Sequence, residues 1–115
     1  MLGSGHLQAA QNAESANTTL LQAANSNYNR TIIENAWLAS FHWICYGCDR
    51  KHGQHSDKHM GLARYLVGLG EGLTADAWRD MEKKRQGGAY GNQVSDADMK
   101  AVLNLLYQIR TWANS

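Results

Sequence analysis

Apolar residues recur three and four positions apart along most of this chain, the spacing that places them on one side of a helix. From about Leu7 to Asn25, the residues Ala9, Ala10, Ala13, Ala16, Leu20, Ala23 and Ala24 keep that spacing, while Gln8, Gln11, Glu14 and Gln22 fill the other side. Small residues at these positions predict a helix packed close to its neighbour. Asn25-Ser26-Asn27 is a polar break. A second helix is expected from roughly Tyr28 to Asp49, carrying Ile32, Ile33, Ala36, Trp37, Ser40, Phe41, Ile44 and Cys48, with Trp43 and Cys45 broadening the apolar face. A face that wide predicts a central core helix with neighbours on more than one side.

Beyond the polar linker from Arg50 to Ser56, a third helix is expected from about Lys58 to Leu69, with Ser56 or Asp57 accepting from its first free amides. Met60, Leu62, Ala63, Leu66 and Leu69 face inward in this reading, and Gly68 and Gly70 end the helix. Thr74 is the expected cap of a fourth helix, Ala75 to about Arg85, whose apolar content is thin: Ala77, Trp78 and Met81. So thin a stripe predicts a helix lying across the bundle surface or building an interface. Ser95, with Asp98 three residues on, reads as a variant capping box opening the last helix, Asp96 to about Ala113. Met99, Val102, Leu103, Leu106, Ile109 and Ala113 give it the most regular stripe in the chain. The expected fold is therefore all-α, an up-and-down bundle of four long helices plus one short helix. It forms a single domain over residues 1–115, with residues 1–6 left outside as a frayed or appended start.

Composition strengthens the helical reading and narrows the partners. The 115 residues include no proline, and Ala, Leu, Gln and Asn outweigh β-branched residues. A formal net charge of +1 creates no global field to draw nucleic acid or anionic lipid, so any such contact must be local. No segment approaches the length of apolar run that spans a membrane, and no charged start precedes an apolar core, so a cytoplasmic chain without membrane contact is expected. Cys45 and Cys48, three apart on one helix, are poorly placed for a disulfide and read as reduced thiols.

Chemistry-bearing residues concentrate in two stretches. The first runs from His42 through Cys45, Cys48, His52 and His55 to His59. Cys45-x2-Cys48 with His55-x3-His59 offers four zinc-type ligands, but such a cysteine pair ordinarily sits on a tight turn, and Trp43, Ile44 and Tyr46 carry a helix straight through it. No metal and no cofactor are expected on that ground. Gly68-Leu69-Gly70-Glu71-Gly72 lacks a preceding strand and reads as a helix stop, not as a phosphate loop. The second stretch is Lys83-Lys84-Arg85-Gln86-Gly87-Gly88-Ala89-Tyr90-Gly91. Cations in a last helical turn complement the macrodipole and usually face water. The alternative is an anion site, in which Arg85 and the Tyr90 ring flank a loop opened by the glycine pair.

Taken together, these pieces resemble the HEPN superfamily (higher eukaryote and prokaryote nucleotide-binding) of small helical domains. The likeness rests on the alanine-rich first helix, Ala10 to Leu21, and on Ala36-Trp37-Leu38-Ala39-Ser40-Phe41-His42 in the second. It continues through Lys58-His59-Met60-Gly61-Leu62-Ala63-Arg64-Tyr65-Leu66, Gly70, Arg85-x4-Tyr90-Gly91 and the acid-capped last helix from Asp96. Active members of that family carry R-x4-6-H, whose arginine and histidine meet across a dimer interface and cleave RNA without metal. Arg85 matches the arginine, but Tyr90 stands where the histidine would be. A phenol with a pKa near 10 is a poor base at neutral pH, and loss of a general acid or base costs about 10²–10⁴ in rate.

The resemblance thus implies an RNA- or nucleotide-binding module of bacterial defence, toxin–antitoxin or mobile-element type, and points away from ribonuclease activity. Any retained catalysis would be that of a metal-independent endoribonuclease using Arg85 and Tyr90. Lys83, Lys84, Arg85 and Tyr90 are the expected contacts to RNA or nucleotide, with His42 and His59 matching supporting positions. Three cations bind weakly in one chain, so the expected state is a homodimer, formed through the thin face of the fourth helix. A cognate protein partner such as a nucleotidyltransferase is also implied. The competing reading is a non-catalytic dimerisation or protein-interaction module.

Overall fold

The computed structural model describes the backbone of residues 1–90 and 94–115, and the side chains of residues 1–86 and 94–115. The described residues form an all-α bundle: α1 (Gly3–Gln22), α2 (Asn29–His52), α3 (Leu62–Gly68), α4 (Gly72–Tyr90) and α5 (Asp96–Asn114), with one turn of 3-10 helix at Ser26–Tyr28. Helix α2 lies at the centre, packed against α1, α4 and α5, while α3 and α5 also pack on α4. Its buried residues, including Ile32, Ile33, Trp37, Phe41, Trp43, Ile44 and Cys48, point to several sides, as its broad apolar face predicts.

Helix α1 differs from its expected form at both ends. It begins at Gly3, and His6 is only 1% exposed, so residues 3–6 belong to the fold. Its inward stripe is His6, Ala10, Ala13 and Asn17, whereas Ala16, Ala23 and Ala24 face solvent. Two polar residues inside an alanine seam rotate the buried face, and both are satisfied there. Asn17 Nδ2 donates to the Ile32 carbonyl at 3.0 Å, and Asn35 Nδ2 donates to Asn17 Oδ1 at 3.0 Å. Glu14 lies beside that seam, accepting from Trp43 Nε1 of α2 at 2.6 Å and pairing with Arg110 of α5.

Two glycines with positive φ set the shape of the α2–α4 region. Gly61 (φ 74) immediately precedes Leu62, so α3 begins four residues later than its apolar spacing suggests, and Met60 is left 81% exposed. Gly70 (φ 81) ends α3 in a Schellman arrangement: Glu71 N–H donates to the Leu66 carbonyl at 2.9 Å and Gly70 N–H to the Val67 carbonyl at 3.0 Å. Helix α4 then starts at Gly72, with Ala75 N–H closing onto the Glu71 carbonyl at 3.0 Å, so Thr74 is a buried helical residue and not the cap.

Helix α4 also departs from expectation in its use and its length. Ala75, Ala77, Trp78 and Met81 are all buried within the chain, so the face assigned to a dimer contact is spent on the protein's own core. The helix runs on through Gly87 and Gly88 to Tyr90 instead of breaking there. Each glycine costs a helix only about 1 kcal/mol relative to alanine, and unlike proline it keeps its amide donor. Helix α5 opens on Ser95, whose Oγ accepts from Asp98 N–H at 3.1 Å, as the capping box predicts. Asn29 ties the start of α2 to the start of α5 by donating to Asp96 Oδ1 at 2.8 Å and to the Val94 carbonyl at 3.0 Å.

The α2–α5 contact depends on Gly47. A methyl group there would lie 2.5 Å from the Trp112 ring and 3.0 Å from the Ala113 Cα, while the Trp112 indole is itself held by Glu71. Helix propensity alone favours Gly47→Ala by about 1 kcal/mol, whereas overpacking costs about 1–3 kcal/mol, and a backbone neighbour cannot rotate away. Gly47→Ala is expected to lower stability by roughly 1 kcal/mol, read as a fall of several degrees in the thermal midpoint. A rise in the midpoint would show that α5 shifts at no cost.

Candidate functional site

Two of the sequence-nominated residues, Arg85 and His59, meet at one place, and they do so through Trp37. The Arg85 guanidinium lies over the Trp37 ring, 3.9 Å from its centroid, and the His59 ring meets the same indole edge-on at 5.3 Å. Trp37 is in turn packed against Phe41 and Trp78, with centroids 6.5 and 5.7 Å away, so the platform beneath Arg85 is anchored in the core. Its indole Nε1 is buried without a hydrogen-bond partner among the described residues.

A groove of about 470 Å³ opens beside this platform, between the turn at residues 59–63 and helix α4. His59 and Met60 form one wall; Arg79, Glu82, Lys83 and Arg85 form the other. Arg85 does not simply point into it. Its Nε donates to both carboxylate oxygens of Glu34 on α2, at 3.0 and 3.3 Å, which fixes the guanidinium plane over the indole. About a third of the Arg85 side chain stays exposed, 34%, so this is a buttressed cation at a groove wall and not a buried one.

The remaining nominated residues go elsewhere. Lys83 is exposed and lines the groove. Lys84 turns toward α5 and pairs with Asp98 at 2.9 Å, a contact within the bundle. Tyr90 ends α4, and its side chain lies outside the described residues, so its pairing with Arg85 is not on view. His42 belongs to a second cluster: its Nδ1 is 2.8 Å from Nδ1 of His6. Burial pushes both imidazoles below their ordinary pKa, and His6 lowers that of His42 further.

That second cluster holds His6 and Asp57, whose part in it sequence reasoning missed. His6 Nε2 lies 2.6 Å from Asp57 Oδ1, and His55 Nε2 lies 3.3 Å from the same oxygen. Asp57 was expected as a helix cap; instead the Met1 amine and His6 hold its carboxyl down to a pKa of about 2. Cys45 and Cys48 stand apart from it as buried free thiols, both pushed up to about 12 chiefly by burial. Cys45 donates to the Ser56 carbonyl at 3.1 Å, so it is a protonated structural thiol and not a metal ligand in waiting.

No family model matches the chain, and neither a curated protein nor a solved structure resembles it. Among the described residues, no helix is long and apolar enough to cross a membrane.

The Lys84–Asp98 pair gives the α4–α5 contact a pH dependence. Lys84 holds the Asp98 carboxyl below the usual carboxylate range, with Ser95 contributing. The folded pKa is thus below the unfolded one, so the pair's contribution is complete above the ordinary carboxylate range and disappears as pH falls through the folded value. The thermal midpoint of Asp98→Asn should lie below that of the parent chain at about pH 6, and the two should converge at about pH 2. A gap independent of pH would mean that the carboxylate's charge is irrelevant.

Proposed function

We propose that this chain is an RNA- or nucleotide-binding helical module, that the groove between residues 59–63 and α4 is its anion site, and that it acts without ribonuclease chemistry. The observation that carries the reading is the Arg85 guanidinium, stacked on Trp37 and oriented by Glu34 at the edge of that groove. A guanidinium fixed in this way offers its remaining edge to phosphate at little entropic cost. Lys83 and Arg79 add charge along the same wall, opposed there by Glu82, and Arg79 is shared with Asp76 at 3.3 Å. His59 supplies a second ring at the opposite wall, where a base could stack.

The resemblance drawn from sequence agrees with a role in bacterial defence, toxin–antitoxin or mobile-element systems. In that setting a homodimer would double the charged patch, through a surface other than the buried face of α4. His59 is the groove's one histidine among the described residues, and a cleaving form of the site would have to use it as the acid–base group in place of the Tyr90 position. A protein-docking role is the second reading, favoured by Met60, which stands 81% exposed at the groove lip.

Glu34 separates these readings because it competes with any phosphate for Arg85. Fluorescence anisotropy with a labelled single-stranded RNA should show binding that weakens as salt rises, falls about fivefold or more for Arg85→Ala, and tightens a few-fold for Glu34→Gln. Met60→Ala should leave that binding within about twofold. Binding that ignored salt and both charge changes would sink the anion site. Incubation of the parent chain with total RNA should leave it intact; cleavage abolished by His59→Ala would replace the binding reading with an enzymatic one.

A further inference from the structure

The cluster at the opposite end of the α1–α2 seam is organised for a different task. His6 Nε2 and His55 Nε2 both converge on Oδ1 of Asp57, and the three potential ligand atoms lie within 4.8 Å of one another. In a tetrahedral zinc site with bonds of about 2.0–2.1 Å, neighbouring ligand atoms stand roughly 3.3 Å apart. The His55–Asp57 separation is already 3.3 Å, and the His6–Asp57 contact of 2.6 Å would need to open by roughly 0.7 Å.

What distinguishes this from a chance meeting of charges is the far side of each ring. Nδ1 of His55 lies 3.2 Å from Asp49 Oδ1, and Nδ1 of His6 lies 2.8 Å from Nδ1 of His42. In the metal-free chain both Nε2 atoms donate, His6 to Asp57 and His55 to the Met1 carbonyl, so an ion would have to displace those two protons. Asp49 and His42 would then accept from Nδ1–H of His55 and His6, the tautomer a ligating imidazole needs. His6 is buried on α1, whereas Asp57 is half exposed in the loop after α2, so the convergence point is walled on one side and open to solvent on the other. In the chain as described, the Met1 carbonyl sits 2.8 Å from His55 Nε2 and the Met1 amine 3.0 Å from Asp57 Oδ2. An ion bound at the convergence point would replace both contacts.

We propose that His6, His55 and Asp57 form a binding site for a divalent transition metal of the zinc class, with His42 and Asp49 positioning the two imidazoles. Two imidazole nitrogens and one carboxylate oxygen are ligands of the borderline type that Zn²⁺ accepts, and water would complete the coordination. Binding joins α1 to the loop that follows α2. The site is separate from the Arg85 groove, and neither depends on the other.

The test uses the full chain, freed of metal by chelation and dialysis. Titration with ZnCl₂ followed by calorimetry should show one ion per chain, bound at about 10 µM or tighter, with the thermal midpoint rising on saturation. His55→Gln and Asp57→Asn, both in the loop and each checked for retained helicity by circular dichroism, should weaken binding at least about tenfold. Asp49→Asn should weaken it about 10–100-fold as a positioning residue, while His52→Ala and the Cys45→Ser/Cys48→Ser pair should leave it unchanged. Substitution with Co²⁺ should give visible d–d bands without the near-ultraviolet charge transfer of a thiolate ligand. Absence of stoichiometric zinc, retention of affinity in both His55→Gln and Asp57→Asn, or a thiolate band with Co²⁺ would each overturn the assignment.

Discussion

Helix α2 presents apolar residues on nearly every side, and a helix of that kind is stable in water only when it is enclosed. The rest of the architecture answers that requirement. Helices α1, α4 and α5 all pack on α2, and α3 with its two positive-φ glycines turns the chain so that α4 can reach it. Enclosure also explains why the sparse stripe of α4 is sufficient. Ala75, Ala77, Trp78 and Met81 need only cover one side of a neighbour that supplies most of the apolar surface itself.

The same enclosure positions the groove. Trp37 is held in the core by Phe41 and Trp78, yet one of its faces reaches the boundary where α4 passes, and Arg85 covers that face. A cation over an indole is attracted by the ring quadrupole, and a carboxylate at 3.0 Å adds to the attraction, so the arrangement is well satisfied before any ligand arrives. An anion arriving there would share Arg85 with Glu34 instead of filling an unmet need. Such a site trades affinity for a defined orientation.

The long elements were legible because their periodicity is strong: α5 was expected over Asp96–Ala113 and is found at Asp96–Asn114. What stayed hidden has physical causes that local pattern does not carry. Gly61 takes a left-handed conformation that apolar spacing cannot signal, which displaced the start of α3 and exposed Met60. His6 and Asn17 are buried although polar, because partners on α2 and in the loop after it satisfy them, so a reading by hydrophobicity rotated α1 and discarded its first turn. Arg85 and His59 could be nominated from motif, but Trp37, which brings them together, and Glu34, which restrains one of them, lie on another helix. The resemblance places His42 with them as a supporting residue, yet its Nδ1 lies 2.8 Å from that of His6.

An alanine seam looks much the same after every turn, so hydrophobic contact alone would let α1 slide along α2 by one pitch, about 5.4 Å, with little penalty. The polar residues set in that seam remove the ambiguity. Glu14 reaches Trp43 and Arg110, Asn17 reaches Ile32 and Asn35, and His6 reaches His42, and a slipped helix would forfeit all of these at once. The axial address of the first helix is thus written in hydrogen bonds. A redesign that replaced those polar groups with larger apolar ones would gain adhesion and lose the single alignment.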